Sequence, residues 1–345
     1  MKRREFCRNT LAGGLVASFP FLTAGARANT GIEAVSLGGA SIELEKAAVN
    51  ELADEMSGRL IMAGHPEYDT VRKVWNGMHD KRPALIARCA NANDAGHAVN
   101  FARENNLLVA VRGGGHSWPG KSVCDGGIMI DLAEMVDVKV DTGAKSAHVQ
   151  GGALLGHLDA ATLPQGLVTT TGVVSHTGVG GFTLGGGFGR LNRKHGLAVD
   201  NLVSADVVTA DGRRRSVSPE QEPDLFWAIR GGGGNFGVTT RFEFQLYPFN
   251  RKVLSGMIVW PVEQARDVLE FYGDWYQTLS DDMYVGPAML TMPDGVSVIA
   301  MEVVFAGDPA MGEKELEPLR RVGTPVQDAV IAQDYTVLQT KEDGT

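Results

Sequence analysis

The chain has 345 residues, a formal net charge of −9 and 43% hydrophobic residues, the composition of a globular protein with room for about two cores. An acidic balance, with basic clustering confined to turns such as Arg213-Arg214-Arg215, argues against a nucleic-acid partner held through its phosphates. Glycine is the unusual component: 44 residues, roughly twice ordinary usage, gathered in clusters between apolar segments rather than in a low-complexity tract, and such clusters read as ligand loops.

Residues 1–28 read as an export signal: "KRREF" from Lys2, an apolar stretch from Leu11 to Leu22, and small residues at Ala26 and Ala28 for cleavage. The pair Arg3-Arg4 with Phe6 resembles a bacterial twin-arginine signal, whose export machinery carries folded proteins; an ordinary secretory leader is the alternative. The expected location is therefore the periplasm or the exterior, with no membrane span in the mature form. Cleavage after Ala28 removes Cys7 and leaves Cys89 and Cys124, which lack metal-ligand spacing; whether they pair is left open.

Residues 29–77 are expected to form a helical lead-in, with a surface helix from Glu43 to Met56. "PALIARCA" from Pro83 reads as a strand, Asp94 as the cap of a helix running to Asn106, and "LLVAVRGGG" as a second strand entering a glycine loop. That is a β-α-β unit with its loop where such units hold ligands. Strands follow at "GGIMIDL", "VDVKV" and "SAHVQGG", the last two joined by a turn at Asp141 to Ala144, then a helix from Ala153 to Leu163. A hairpin turns at Asp211-Gly212, "PDLFWAIR" is a helix, and "TTRFEFQLYP" is a strand. After Pro248 the pattern changes to a strand ending at Val259, a helix with Ala265, Val268, Leu269, Tyr272 and Trp275 on one face, a hairpin at Pro293-Asp294-Gly295, and a charged helix from Met311 to Val322. The fold class is α+β, divided into 78–248 and 249–345.

"GGGNFG" at Gly232 to Gly237 fits the dinucleotide fingerprint by letter, but a helix precedes it and a strand follows, the reverse of the required order. No P-loop motif occurs. A diphosphate can instead rest on successive backbone N–H groups. "RGGGHS" suits that task, with Ser117 adding a hydroxyl donor, and "TGVGG" from Thr177 to Gly181 is placed to clamp the same anion. His116 is then singled out, because a neutral imidazole beside a cofactor loop is a competent nucleophile toward an electrophilic carbon. His65, His79, His97, His148, His157 and His195 take the default structural reading.

In order and spacing, "RGGGHSWPG", "GVGGFTLGGGFGRLNRKHGLAVDNL", "SADVVTADG" and "DLFWAIRGGGGNFGV" resemble the berberine bridge enzyme-like FAD-linked oxidoreductases, which share the vanillyl-alcohol-oxidase or PCMH-type fold. The resemblance covers Tyr68 to Pro248 strongly. It implies a two-subdomain PCMH-type FAD-binding domain at 78–248, followed by an antiparallel-sheet-plus-helices substrate domain, partial here, at 249–345. It also implies FAD joined through its 8α carbon to His116. Around it would lie Arg112, Gly113, Gly114, Gly115 and Ser117, then Thr177, Gly178, Gly180, Gly181 and Gly187, with Val238 completing the set. Many members add a cysteinyl bond at the position of Val174, so one link is expected, and Cys124 is read as buried structure. His176 is a candidate to face the flavin or a structural loop residue; Tyr284 and Glu302 lie where the family presents substrate groups, and neither is assigned as base. The implied reaction takes hydride from an alcohol, sugar or amine carbon and passes electrons to O2 or another acceptor. The alternatives are a flavin-binding remnant without turnover and a peptidoglycan-precursor reductase, which would use NADPH and no covalent histidine.

Overall fold

The computed structural model describes residues 31–343, so the expected signal and Cys7 lie outside the described residues. Three sheets carry the fold. The first has four strands in the order Arg59–Ile61, Leu85–Arg88, Ile128–Asp131, Val109–Arg112, the last three parallel. Ile128, Met129 and Ile130 are wholly buried, as expected of a parallel strand covered on both faces. The helix Ala92–Glu104 makes the crossover and buries Ala95, Ala98, Phe101 and Ala102 against it.

Two local expectations are corrected here. The helix cap is Asn91, whose side chain accepts the N–H groups of Asn93 and Asp94. Asp94, 1% exposed, instead gathers the N–H groups of Ser57, Gly58 and Ala90, and so pins the preceding loop to the start of the helix. The stretch at 29–77 is also more than helical: it contributes the strands Gly31–Val35, Ser41–Glu45 and Arg59–Ile61, its first helix begins only at Lys46, and a short second one spans Tyr68–Val71. Leu44, Val49 and Leu52 share one core with Leu85 and Ile128.

The second sheet is antiparallel, ordered Arg214–Val217, Leu202–Val208, Val238–Gln245, Ser146–Gln150, Val138–Asp141. Phe242 and Phe244 alternate inward, where Leu155 and Leu158 of the helix Leu155–Thr162 meet them. Beyond Pro248 a third antiparallel sheet forms from Met283–Thr291, Ser297–Phe305 and Lys252–Pro261, with the short strands Gln327–Asp328 and Ile331–Asp334 pairing the last. Helices Ala265–Trp275 and Pro309–Arg320 cover it through Val268, Trp275, Leu316 and Leu319; Leu269 sits at the margin of that stripe, 37% exposed.

This sheet is tied to the preceding half by polar contacts. Arg190, 4% exposed, donates to Glu302, and Gln339 donates to Asp159 and Thr171. Asp159 is buried, 5% exposed, and that burial raises its carboxyl to about 6.

Candidate functional site

The strand Val109–Arg112 ends at the sheet edge and releases its chain into Gly113-Gly114-Gly115. Gly115 has φ +74, so the left-handed residue that turns the chain toward His116 is a glycine. Gly114 serves a different need. A Cβ there would stand 2.3 Å from the backbone nitrogen of Gly178, and one on Gly178 would stand 2.2 Å from that of Gly114. The two glycine loops, expected as opposite jaws on an anion, therefore touch main chain to main chain at this point. To either side the contacts ease: a Cβ on Gly113 would press on the Gly151 carbonyl at 3.3 Å, and one on Gly181 would meet nothing within 4 Å.

Beneath the loops is a cleft of about 330 Å³ whose walls include Trp75, Arg112, Gly113, Gly114, His116, Leu154, His157 and His176. Its lining contains one guanidinium and three imidazoles and no carboxylate, a wall suited to an anionic ligand. Arg112 donates to the carbonyl of Val71, and its Nε is buried without a partner. Asp131, wholly buried behind it, ion-pairs through Oδ2 with Arg88 at 3.7 Å and Arg112 at 3.9 Å without a hydrogen bond there, and burial raises its carboxyl above the ordinary range against the pull of Arg112.

His116 is fixed from two directions. The indole of Trp75 stacks on its ring at 5.1 Å and 16°, and the backbone N–H of Trp75 donates to the carbonyl of Gly115. On the other side Nε2 of His116 meets Nδ1 of His176 at 2.7 Å. His176 thus has a partner, and the partner is the residue singled out as nucleophile. Burial, followed by the neighbouring His176, holds the imidazole of His116 below its usual pKa, which favours the neutral ring. His157, given a structural reading from sequence, both lines the cleft and accepts the Leu154 N–H through Nδ1.

The remaining expected residues are distributed unevenly. Thr177 accepts the Leu155 N–H through its carbonyl, and Gly180 abuts the carbonyl of Gly151. The Ser117 hydroxyl accepts the Lys121 N–H, which leaves its own proton to donate. Gly187 packs on Ala198 and Phe182, and Val238, 3% exposed, pairs with Val208; neither lines the cleft. Glu302 is engaged by Arg190, while Tyr284 is half-buried near Phe188, its hydroxyl pKa raised by burial and by Glu302. Cys89 and Cys124 are buried free thiols, and burial pushes Cys124 up to about 11. Among the described residues no cluster of metal ligands occurs, and no helix is long and apolar enough to cross a membrane.

Sequence reasoning missed Trp75, Leu154 and Gly152. The pair Gly151-Gly152 at a strand end was a signal for the last, since a Cβ on Gly152 would lie 1.7 Å from the carbonyl of Leu132.

A β-α-β unit whose glycine loop meets a second one over a carboxylate-free cleft, next to an antiparallel sheet, defines a flavin-binding protein of the PCMH type. Residues 83–218 match the FAD-binding domain family, the chain's cofactor is FAD, and the relatives it resembles are FAD-linked oxidoreductases, consistent with a PCMH-type FAD oxidoreductase. It is 36% identical over 292 residues to (R)-6-hydroxynicotine oxidase of Paenarthrobacter nicotinovorans, covering 83% of this chain and 63% of that protein. The crystal structure of 6-hydroxy-D-nicotine oxidase from Arthrobacter nicotinovorans superposes with a TM-score of 0.79 at 34% identity, over 83% of this chain and 64% of that one. Glucooligosaccharide oxidase from Acremonium strictum, described as carrying a 6-S-cysteinyl, 8α-N1-histidyl FAD, gives 0.75 at 28%, over 86% and 62%. The chain thus spans less than two thirds of these relatives.

Proposed function

We propose that the protein is an exported oxidoreductase that holds FAD covalently through His116 and takes hydride from an alcohol, sugar or amine carbon, returning electrons to O2 or another acceptor. Residues 78–248 would bind the cofactor and 249–345 would contribute to the substrate side. The observation that carries the reading is a half-buried imidazole, stacked on Trp75 and bonded to His176, held against a glycine-lined, carboxylate-free cleft. The orphaned Nε of Arg112, the glycine backbone of Gly113 and Gly114 in the cleft wall and the open main chain at Gly181 fit an anionic diphosphate.

Bound FAD supplies the hydride acceptor. The protein's part is positioning. Trp75 stacks on His116 and sets the plane of its ring, Arg112 and the glycine main chain neutralise and orient the diphosphate, and His116 tethers the ring system. Val174 provides no thiol, which favours one link. Attachment inside a folded pocket is compatible with an export route that carries folded proteins, in keeping with Arg3-Arg4.

The test is to denature the purified protein and follow the flavin. Yellow colour and a flavin mass on the His116 peptide are expected, with His116→Ala releasing its FAD on acid precipitation. A colourless unfolded chain would refute the covalent link. Anaerobic bleaching by a small alcohol, amine or sugar separates an active enzyme from an inert flavin-binding remnant.

A further inference from the structure

His116 and His176 lie 60 residues apart in sequence, yet their rings meet at 2.7 Å between Nε2 and Nδ1. The contact is built. Gly114 and Gly178 touch through their backbones, and each histidine stands two residues from its glycine, so the close approach of the glycines sets the spacing of the rings. Both neighbours of His176 are anchored. The Thr177 carbonyl accepts from Leu155 at 2.9 Å, and Ser175 accepts from Gly156 at 2.8 Å through its carbonyl and donates to Asp343 through its N–H and hydroxyl. Nδ1 of His116 has no hydrogen-bond partner among the described residues.

We infer that His176 is the positioning residue for flavin attachment: it holds Nε2 of His116, leaves Nδ1 as the attacking nitrogen, and accepts the Nε2 proton as the bond forms. The inference rests on the covalent reading proposed above. With His116 carrying its proton on Nε2, it donates to Nδ1 of His176, which leaves the Nδ1 lone pair of His116 in the plane of a ring stacked on Trp75. The arrangement follows the general logic of a nucleophile whose proton passes to a neighbouring base. Attachment forms one N–C bond to the 8α carbon and breaks one C–H and one N–H bond. The methyl proton goes to solvent and the imidazole proton to His176. The electron pair enters the flavin, and dioxygen reoxidises it to give hydrogen peroxide, so the two hydrogens and two electrons balance. Without the contact, the His116 ring is able to flip by 180° within its stack on Trp75 and present either nitrogen.

The full chain is prepared without flavin, FAD is added, and covalent incorporation is timed by flavin fluorescence that stays with the denatured polypeptide. His176→Ala is expected to slow incorporation about 100-fold while still binding FAD non-covalently, and added imidazole is expected to restore the rate. His176→Asn, which accepts the hydrogen bond but cannot take the proton, is expected to remain slow and decides the matter if His176→Ala misfolds. Wild-type rates in either variant, or attachment mapped to Nε2, would overturn the inference while leaving the covalent link intact. A wild-type protein with no covalent flavin would overturn both.

Discussion

Gly114→Ala tests whether the two loops are locked to each other. The added methyl would lie 2.3 Å from the Gly178 nitrogen, 2.5 Å from its Cα and 3.2 Å from Cδ2 of Leu154. Two of these are backbone atoms, which cannot rotate away. Restoring ordinary contact at 3.4 Å requires a displacement of about 1 Å, which pulls His176 from His116 because both follow the glycines. Overpacking of this kind costs about 1–3 kcal/mol. The matched control is Gly181→Ala, where a Cβ meets nothing within 4 Å inside the short helix Val179–Leu184; there the change is expected to be neutral or to stabilise by up to about 1 kcal/mol. Denaturant unfolding of both variants supplies the free energies, and covalent flavin content reports the displacement. Equal stability of the two variants would refute the reasoning, as would full flavin loading in Gly114→Ala.

Other consequences follow from buried carboxylates. Asp159, raised by burial from 3.8 to about 6, binds its proton more tightly in the folded state, so its contribution to stability is greatest below pH 4 and is lost as the pH rises toward 6. Asp159→Asn is expected to remove about 2–3 kcal/mol of that dependence, read from unfolding curves at pH 4 and pH 7; an unchanged slope would show that the group titrates normally. Asp94→Ala strips the acceptor from three N–H groups, those of Ser57, Gly58 and Ala90, and is expected to destabilise by about 2–4 kcal/mol in chemical denaturation. A loss below about 0.5 kcal/mol would show that water or a shifted loop satisfies them.

The amino-acid sequence by itself determined what is local. A glycine run at the end of an apolar strand marked the loop that the structure places along the cleft, because strand period and missing Cβ atoms act within a few residues. The reversed order around Gly232 to Gly237 excluded a dinucleotide fingerprint for the same reason. The hairpins at Asp211-Gly212 and Pro293-Asp294-Gly295 were legible from turn chemistry and join the strand pairs seen in the structure. What the chain order could not show is which distant segments meet. Asp94 looked like a cap because capping is read from neighbours, yet its partners Ser57 and Gly58 belong to another loop. Trp75 carried no signal at all, and His176 looked partnerless, since its partner lies 60 residues away. Those pairings were decided by packing: two loops approach closely only where neither has a side chain, and that approach, set by the sheet and helix beneath them, brings the two imidazoles within hydrogen-bonding distance.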